Sequence, residues 1–237
     1  MEHDIRIRNS TLKPYTIAID GPTGAGKSSL AREIAKRRAL TYIDTGAMYR
    51  AIGLHVLRRG IQSEDADSII PLLPEIELSI SYKEDGQHIY LNGEDVSDKI
   101  RTAEASIYAS NVSKIPKVRT FLLDTQRQLA AHGNIVMDGR DIGTVILPDA
   151  DVKIFLTASP EVRALRRHKE MLAKGMQSTY DMVLEELIWR DENDRRRSTA
   201  PLKQAEDAIV LDTTDLDFEA AVARAEVIIS TRLACRS

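Results

Sequence analysis

Cysteine occurs once in the 237 residues, as Cys235 near the C-terminus. The chain can therefore build neither an internal disulfide nor a cysteine-ligated metal centre, and a reducing compartment suits it. No apolar run approaches the roughly 20 residues of a membrane-spanning helix, and residues 1–13 mix charges without the apolar stretch of a secretory leader. Residues 1–14 read as a short extension ahead of the first strand, and the cytoplasm as the compartment. Aromatic residues make up only 5% of the chain, which leaves single-stranded nucleic acid no stacking platform, and a formal net charge of −3 argues against wholesale nucleic-acid binding while leaving room for a local basic site. His3, His55, His88 and His132 fall into no metal-ligand or nucleophile spacing. Neither D-x-x-G nor N-K-x-D is present to support guanine-dependent switching. Repeats, low-complexity tracts and Pro/Ser-rich linkers are missing too, so 15–237 reads as a single domain, a monomer acting on small molecules without nucleic acid or membrane.

What the chain does contain is Gly21-Pro22-Thr23-Gly24-Ala25-Gly26-Lys27-Ser28. It follows the apolar, β-branched run 15–19 and opens a helical pattern carrying Leu30, Ala31, Ile34 and Ala35. This is a phosphate-binding loop in its strand-loop-helix setting. The glycines let successive backbone N–H groups turn around a phosphate, Lys27 reaches the β- and γ-phosphates, and the helix N-terminus adds partial positive charge. The Ser28 hydroxyl is the expected ligand for the Mg²⁺ that accompanies ATP, with Ser29 beside it.

Apolar strand-like runs at 16–20, 41–44, 134–138, 152–157 and 208–212 alternate with amphipathic helical stretches. That order predicts a five-stranded parallel sheet covered by helices on both faces, a three-layer α/β/α fold. Asp20, Asp44, Asp138 and Asp212 sit at the C-terminal ends of strands, the edge where such sheets bind ligands. Residues 71–101 break the alternation. Leu78, Ile80 and Tyr82 alternate with polar residues, Glu84-Asp85-Gly86 signals a turn, and Ile89 and Leu91 follow, which predicts a small antiparallel insertion in a supporting role.

Arginines give the second signal, because a kinase holds two phosphate-bearing molecules end to end against their repulsion. Arg190, Asp194 and Arg197 stand at i, i+4 and i+7 on one helical face. That face either reads a sugar and a phosphate or is a solvated surface with Arg190 and Asp194 paired internally. Arg163, Arg166 and Arg167 follow the helix start Ser159-Pro160-Glu161. They suit a mobile cover over the triphosphate at about 159–175, or a solvent-facing basic run continued by Lys169.

Together with the loop, the runs Asp44-Thr45-Gly46-Ala47-Met48-Tyr49-Arg50, Gly93-Glu94-Asp95-Val96-Ser97, Pro116-Lys117-Val118-Arg119, Asp138-Gly139-Arg140-Asp141-Ile142-Gly143-Thr144 and Ala200-Pro201-Leu202 give the chain a resemblance over nearly its whole length. It resembles the bacterial cytidylate kinases of the P-loop nucleoside monophosphate kinase superfamily. The resemblance implies a P-loop NTPase fold with a helical lid, ATP and Mg²⁺ as donor and cofactor, and CMP or dCMP as acceptor. It implies that Thr45, Arg119 and Asp141 face cytosine, that Ser110, Arg190 and Asp194 face ribose, and that Arg50, Arg140 and Arg197 hold the acceptor phosphate. Residues 71–101 would be the enlarged monophosphate-binding insertion. Two departures stand out: Thr45 occupies a position where serine is common, and Ser28-Ser29 stands where Gly-Thr is common.

These assignments have a chemical basis. Cytosine offers an exocyclic amino donor beside acceptors at N3 and O2, so a carboxylate suits the former and a guanidinium the latter. Asp141 alternatively pairs with its neighbour Arg140 or caps a turn. The acceptor phosphate is already largely deprotonated near neutrality, so no general base is required. Lys27, Mg²⁺ and cover arginines such as Arg163 and Arg167 would stabilise the transferring group while Arg140 and Arg197 align the nucleophile. Asp138 and Asp44 either meet the metal, directly or through water, or orient loops. The alternatives are a related kinase with another acceptor, UMP or a shikimate-like hydroxyl among them, and a non-catalytic module gated by nucleotide.

Overall fold

The computed structural model of the protein describes residues 14–83, 86–131, 133–173 and 175–235. Residues 1–13 of the expected extension, Glu84 and Asp85 of the expected turn, and His132 lie outside the described residues. In chain order the elements are β1 (Thr16–Asp20), α1 (Lys27–Arg38), β2 (Thr41–Asp44), α2 (Thr45–Arg58), a short α3 (Ala66–Ile69) continued by a 3-10 segment (Ile70–Glu75), β3 (Leu78–Lys83), β4 (Gly86–Leu91), β5 (Glu94–Asp95), α4 (Ala103–Val112) and α5 (Pro116–Ala130). There follow β6 (Ile135–Gly139), one turn of π-helix (Ile142–Ile146), β7 (Val152–Thr157), α6 (Pro160–Ala173), α7 (Tyr180–Arg196), β8 (Ile209–Asp212) and α8 (Phe218–Ala234).

The apolar runs pair as a five-stranded sheet in the order β2-β6-β1-β7-β8, each neighbour parallel. Burial on both faces explains why these strands read as continuous apolar runs. One face packs Ile17, Ile19, Val152 and Ile154 against Leu30 and Ile34 of α1 and Val222 and Ile229 of α8. The opposite face sets Ala18, Ile43 and Met137 against Ile142 and Ile146 of the π turn. Two strands start one residue later than expected. Asn134 takes φ 52°, a left-handed conformation that amide side chains tolerate but no strand contains, and Ala208 closes a turn onto the Ala205 carbonyl at 3.0 Å.

The expected insertion is a three-stranded antiparallel sheet, β3-β4-β5, with Ile80 opposite Ile89 and Leu78 opposite Leu91. Its apolar face joins Ile52 and Val56 of α2, Val112 of α4 and Val118 and Leu122 of α5 in a core of its own. Tyr82, at the far end of the alternating run, is exposed. Helices α6 and α7 form a separate hairpin around Ala164, Val183 and Leu187. Among the described residues no helix is long and apolar enough to cross a membrane.

Helices α2 and α4 pack closely at Gly53, where a β-carbon would lie 2.9 Å from the Ala109 nitrogen and 3.0 Å from the Tyr108 β-carbon. An exposed helical Gly→Ala change gains up to about 1 kcal/mol in propensity, whereas overpacking against backbone costs about 1–3 kcal/mol. Gly53→Ala is therefore expected to destabilise by about 1 kcal/mol, lowering Tm by roughly 2–4 °C. A thermal melt equal to or above the parent's would show that the helices separate freely.

Candidate active site

The loop between β1 and α1 lies at the C-terminal edge of the large sheet. Gly21 has φ 151°, and a β-carbon there would fall 1.9 Å from the Leu156 carbonyl oxygen, so only glycine lets the chain leave β1 beside β7. The N-cap of α1 is Gly26, which supplies no side-chain oxygen, and the first turn holds no acidic residue. Its leading N–H groups thus remain available to an anion. Lys27 is buried and donates to the Pro22 carbonyl at 2.8 Å. Burial, reinforced by the neighbouring Arg140 charge, pulls its ammonium down to about 7, against the pull of Asp138, Asp194 and Asp20. Ser28 donates to Asp138 Oδ2 at 3.0 Å, and the Tyr42 hydroxyl donates to Oδ1 at 2.8 Å. Burial, with the Asp44 charge adding to it, raises the Asp138 carboxyl.

A cavity of about 730 Å³ is lined by this loop together with Arg50, Arg119, Arg140, Arg190, Arg197 and Ser110. These side chains arrive from α2, α5, the end of β6, the C-terminal half and cap of α7, and α4. Each guanidinium has a carboxylate partner. Arg119 pairs with Asp141 and lies 5.5 Å from the Tyr49 ring centroid, and Arg197 approaches the other Asp141 oxygen at 3.4 Å. Arg140 Nε binds Asp194 at 2.8 Å, Arg50 binds Asp44 at 2.9 Å and Arg190 binds Glu186 at 3.5 Å. Burial opposes ionisation of Asp194, but Arg140 and Arg197 outweigh it and hold the carboxyl below its ordinary range. Burial, helped by Arg140, lowers Arg190. Thr45 lines the cavity while its hydroxyl donates to the Asp138 carbonyl at 2.8 Å, so toward a ligand this oxygen is left as an acceptor.

Several expectations are revised. Arg163 does not reach the cavity: it is 2% exposed, paired with Asp191 at 2.7 Å, and donates to the Ala158 and Thr23 carbonyls. The start of α6 is packed behind the loop, so its first arginine is buried in the join. Arg166 and Arg167 do line the cavity. Arg166 is tied to Thr213 and to the Leu216 carbonyl, and Arg167 to Glu170. The internal Arg190–Asp194 pair is not formed, nor is an Arg140–Asp141 pair. The i+4 neighbour that Arg190 meets lies toward the N-terminus, and Arg140 is drawn away by Asp194. Asp212 stays at the surface, accepting from Thr214 in a local turn.

Two further contributors act through backbone groups: Asp20, which strand position had set at the ligand edge, and Gln87, which carried no local sequence signal. Asp20 is buried and accepts from the Ile142 and Gly143 nitrogens, both at 2.7 Å. It thereby fixes the π turn that follows Arg140 and Asp141, although burial raises its carboxyl to about 6 despite those two bonds. Gln87 of β4 holds Asp44 at both backbone groups, accepting from N at 2.8 Å and donating to O at 3.4 Å. Among the described residues no group of three or more His, Cys, Asp or Glu side chains could hold a metal ion by itself.

The site can therefore cradle one phosphate chain at the loop and present several guanidiniums to a second anion opposite. Comparison with known proteins agrees with that chemistry. The sequence profile of the family described as cytidylate kinase matches residues 17–231. A cytidylate kinase of Carboxydothermus hydrogenoformans is 50% identical over 216 residues, covering 91% of this chain and 97% of its own. One of Caldanaerobacter subterraneus subsp. tengcongensis is 52% identical over 216 residues, covering 91% and 93%.

Asp141 is the shared counter-charge of two buried guanidiniums, and removing one partner of such a pair costs about 3 kcal/mol or more. Asp141→Ala is expected to lower Tm by roughly 6–12 °C, and millimolar sulfate to restore more stability to the variant than to the parent. A melting temperature indifferent to the substitution would mean that Arg119 and Arg197 are satisfied without it.

Proposed function

The chain belongs to the cytidylate kinase family, and from that premise we propose that it transfers the γ-phosphoryl group of ATP to CMP and dCMP, giving ADP with CDP or dCDP. The observation that carries this reading is the uncapped, lysine-bearing loop and a set of carboxylate-paired arginines lining one cavity. Both substrates are polyanions, and only such an arrangement brings their phosphates into line without prohibitive repulsion.

In this reading Lys27 and the N-terminal amides of α1 bind the β- and γ-phosphates. Arg50, Arg140 and Arg197 hold the acceptor phosphate, each already oriented by Asp44, Asp194 or Asp141. The attacking oxygen carries no proton to remove near neutral pH, so alignment and charge neutralisation are the protein's contribution. Asp141 accepts from the cytosine amino group and Arg119 donates to N3 and O2. Uracil would set a carbonyl against that carboxylate and an N–H against that guanidinium, at about 1–3 kcal/mol for each mismatched group. Arg190, Asp194 and Ser110 meet the ribose. Arg166 and Arg167, on the 159–175 lid, cover the donor and exclude water.

The residues present also fit Mg²⁺ carried in by the nucleotide. The Ser28 hydroxyl and the Asp138 carboxylate are hard oxygen donors side by side at the loop, as that ion requires when it keeps phosphate and water as its other ligands. When bound, the ion neutralises charge on the β- and γ-phosphates. We assign the reaction to a monomer acting on free nucleotides in the cytoplasm.

A coupled assay of ADP release with CMP, dCMP, UMP, dTMP, AMP and shikimate tests the acceptor. CMP and dCMP are expected to exceed UMP by at least tenfold in kcat/KM. Release with shikimate alone would overturn the reading.

Lys27 supplies a pH prediction. With its ammonium at about 7 in the free protein and raised beside a bound triphosphate, binding takes up a proton above that pH and none well below it. ATP affinity is therefore steady below pH 7 and falls as pH rises through 7 to 9. Calorimetry at pH 8 in buffers of differing ionisation enthalpy should show uptake approaching one proton per site, lost in Lys27→Arg. Heats independent of the buffer would show that the lysine does not change its protonation on binding.

A further inference from the structure

The third position of the phosphate loop accepts any residue as far as cradling a phosphate is concerned, yet here all three polar groups of Thr23 are held by other elements. Its N–H donates to Asp191 Oδ1 of α7 at 3.1 Å. Its carbonyl accepts from Arg163 of α6 at 2.8 Å, and Arg163 and Asp191 close the ring through their own buried pair at 2.7 Å. Its hydroxyl accepts from Arg140 NH2 at 2.8 Å. The backbone contacts explain the burial of Arg163 and would survive any side chain at this position. The hydroxyl contact is different, because it joins the donor loop to an arginine on the acceptor side of the cavity.

Arg140 is consequently held at all three guanidinium nitrogens, Nε by Asp194 at 2.8 Å, NH1 by the Gly139 carbonyl at 3.3 Å and NH2 by Thr23 at 2.8 Å. A planar guanidinium so held keeps one orientation, and of its three partners only Thr23 belongs to the donor loop. Phosphoryl transfer depends on the distance between the two phosphates, and a displacement of about 1 Å costs roughly a hundredfold in rate. An arginine anchored to the loop that holds the donor keeps that distance constant. We propose that Thr23 is a positioning residue for phosphoryl transfer, its hydroxyl holding Arg140 at a set place between the donor loop and the acceptor phosphate. The inference rests on the acceptor-phosphate role given to Arg140 above.

Thr23→Val removes the hydroxyl while keeping the β-branched shape and both main-chain contacts, and Thr23→Ser keeps the hydroxyl. The readouts are kcat and KM for CMP at saturating ATP, the dissociation constant of ATP alone, and Tm. Loss of one hydrogen bond to a charged group predicts a fall of about tenfold or more in kcat/KM for the acceptor. ATP affinity should stay within twofold, and Thr23→Ser should recover most of the loss. In an Arg140→Lys background, where one ammonium cannot span both partners, Thr23→Val should add no further loss. Parent-like constants in Thr23→Val would overturn the proposal. So would a loss of ATP affinity equal to the loss in acceptor kcat/KM, or a loss that serine does not recover. If Thr23→Val does not fold, Thr23→Ala against Thr23→Ser decides by the same criteria. A parent protein that phosphorylates no nucleoside monophosphate refutes the functional reading itself, before any Thr23 variant is made. If another monophosphate proves to be the acceptor, the same constants are measured with it.

Discussion

Like charges crowd this site before any substrate enters, and how that crowding is balanced governs the rest of the architecture. Lys27, Arg50, Arg119, Arg140 and Arg197 converge on one cavity, and positive groups so placed would drive the elements apart without fixed counter-charges. Asp44, Asp138, Asp141 and Asp194 supply them. Buried pairs of this kind contribute little net stability, because desolvation offsets most of the Coulomb gain. Their value lies in orientation: a guanidinium pinned by a carboxylate is already aimed when a phosphate arrives. Lys27 is the exception, its ionisation depressed chiefly by burial and then by Arg140, against the pull of Asp138, Asp194 and Asp20. An anion at the loop would favour its charged form.

The large sheet carries this network because its strands end together. Parallel neighbours in the order β2-β6-β1-β7-β8 bring Asp44, Asp138 and Asp20 to one edge, and each then takes a different task. Asp44 caps α2 and pairs with Arg50, Asp138 gathers Ser28 and Tyr42, and Asp20 holds the turn beyond Arg140 and Asp141. A carboxylate buried as deeply as Asp20 is costly as a charge. It is tolerated because two backbone N–H groups that would otherwise be unpaired end on it, and leaving those unmade would cost about 1–3 kcal/mol each.

How much of this could be read from the chain follows from how far each signal reaches along it. The phosphate loop and the five strands are local patterns, and they appear in the structure within a residue of where periodicity and turn chemistry place them. The antiparallel insertion was legible for the same reason. The arginines were visible as candidates, and resemblance grouped them, but their partners were not visible. Arg140 meets Asp194 across 54 positions, Tyr42 meets Asp138 across 96 and Thr23 meets Asp191 across 168. Helical spacing alone put Arg163 with Arg166 and Arg167 on one face and could not tell that the face begins inside the protein. Asp212 misled in the opposite way, since the end of an edge strand is formally part of the ligand edge while lying at the surface.

The small sheet, which its own residues marked as a support and resemblance as a monophosphate-binding insertion, has a specific place in the design. Gln87 projects from β4 to hold both backbone groups of Asp44, the residue that begins α2 and orients Arg50. An insertion of that size is stabilised by its own apolar core with α2, α4 and α5, so it needs no bond to the large sheet in order to fold. A primary amide that meets both the N–H and the carbonyl of Asp44 is therefore better understood as a positional constraint: it keeps the small sheet in register with the large sheet that bears the phosphate loop. Thr23 does the same from the loop side by meeting Arg140. Gln87 ties the small sheet to the start of the helix that carries Arg50, and Thr23 ties Arg140 to the phosphate loop; in the function proposed above, contacts of this kind limit how far the two phosphates can drift apart, which is the condition that in-line transfer between two anions imposes.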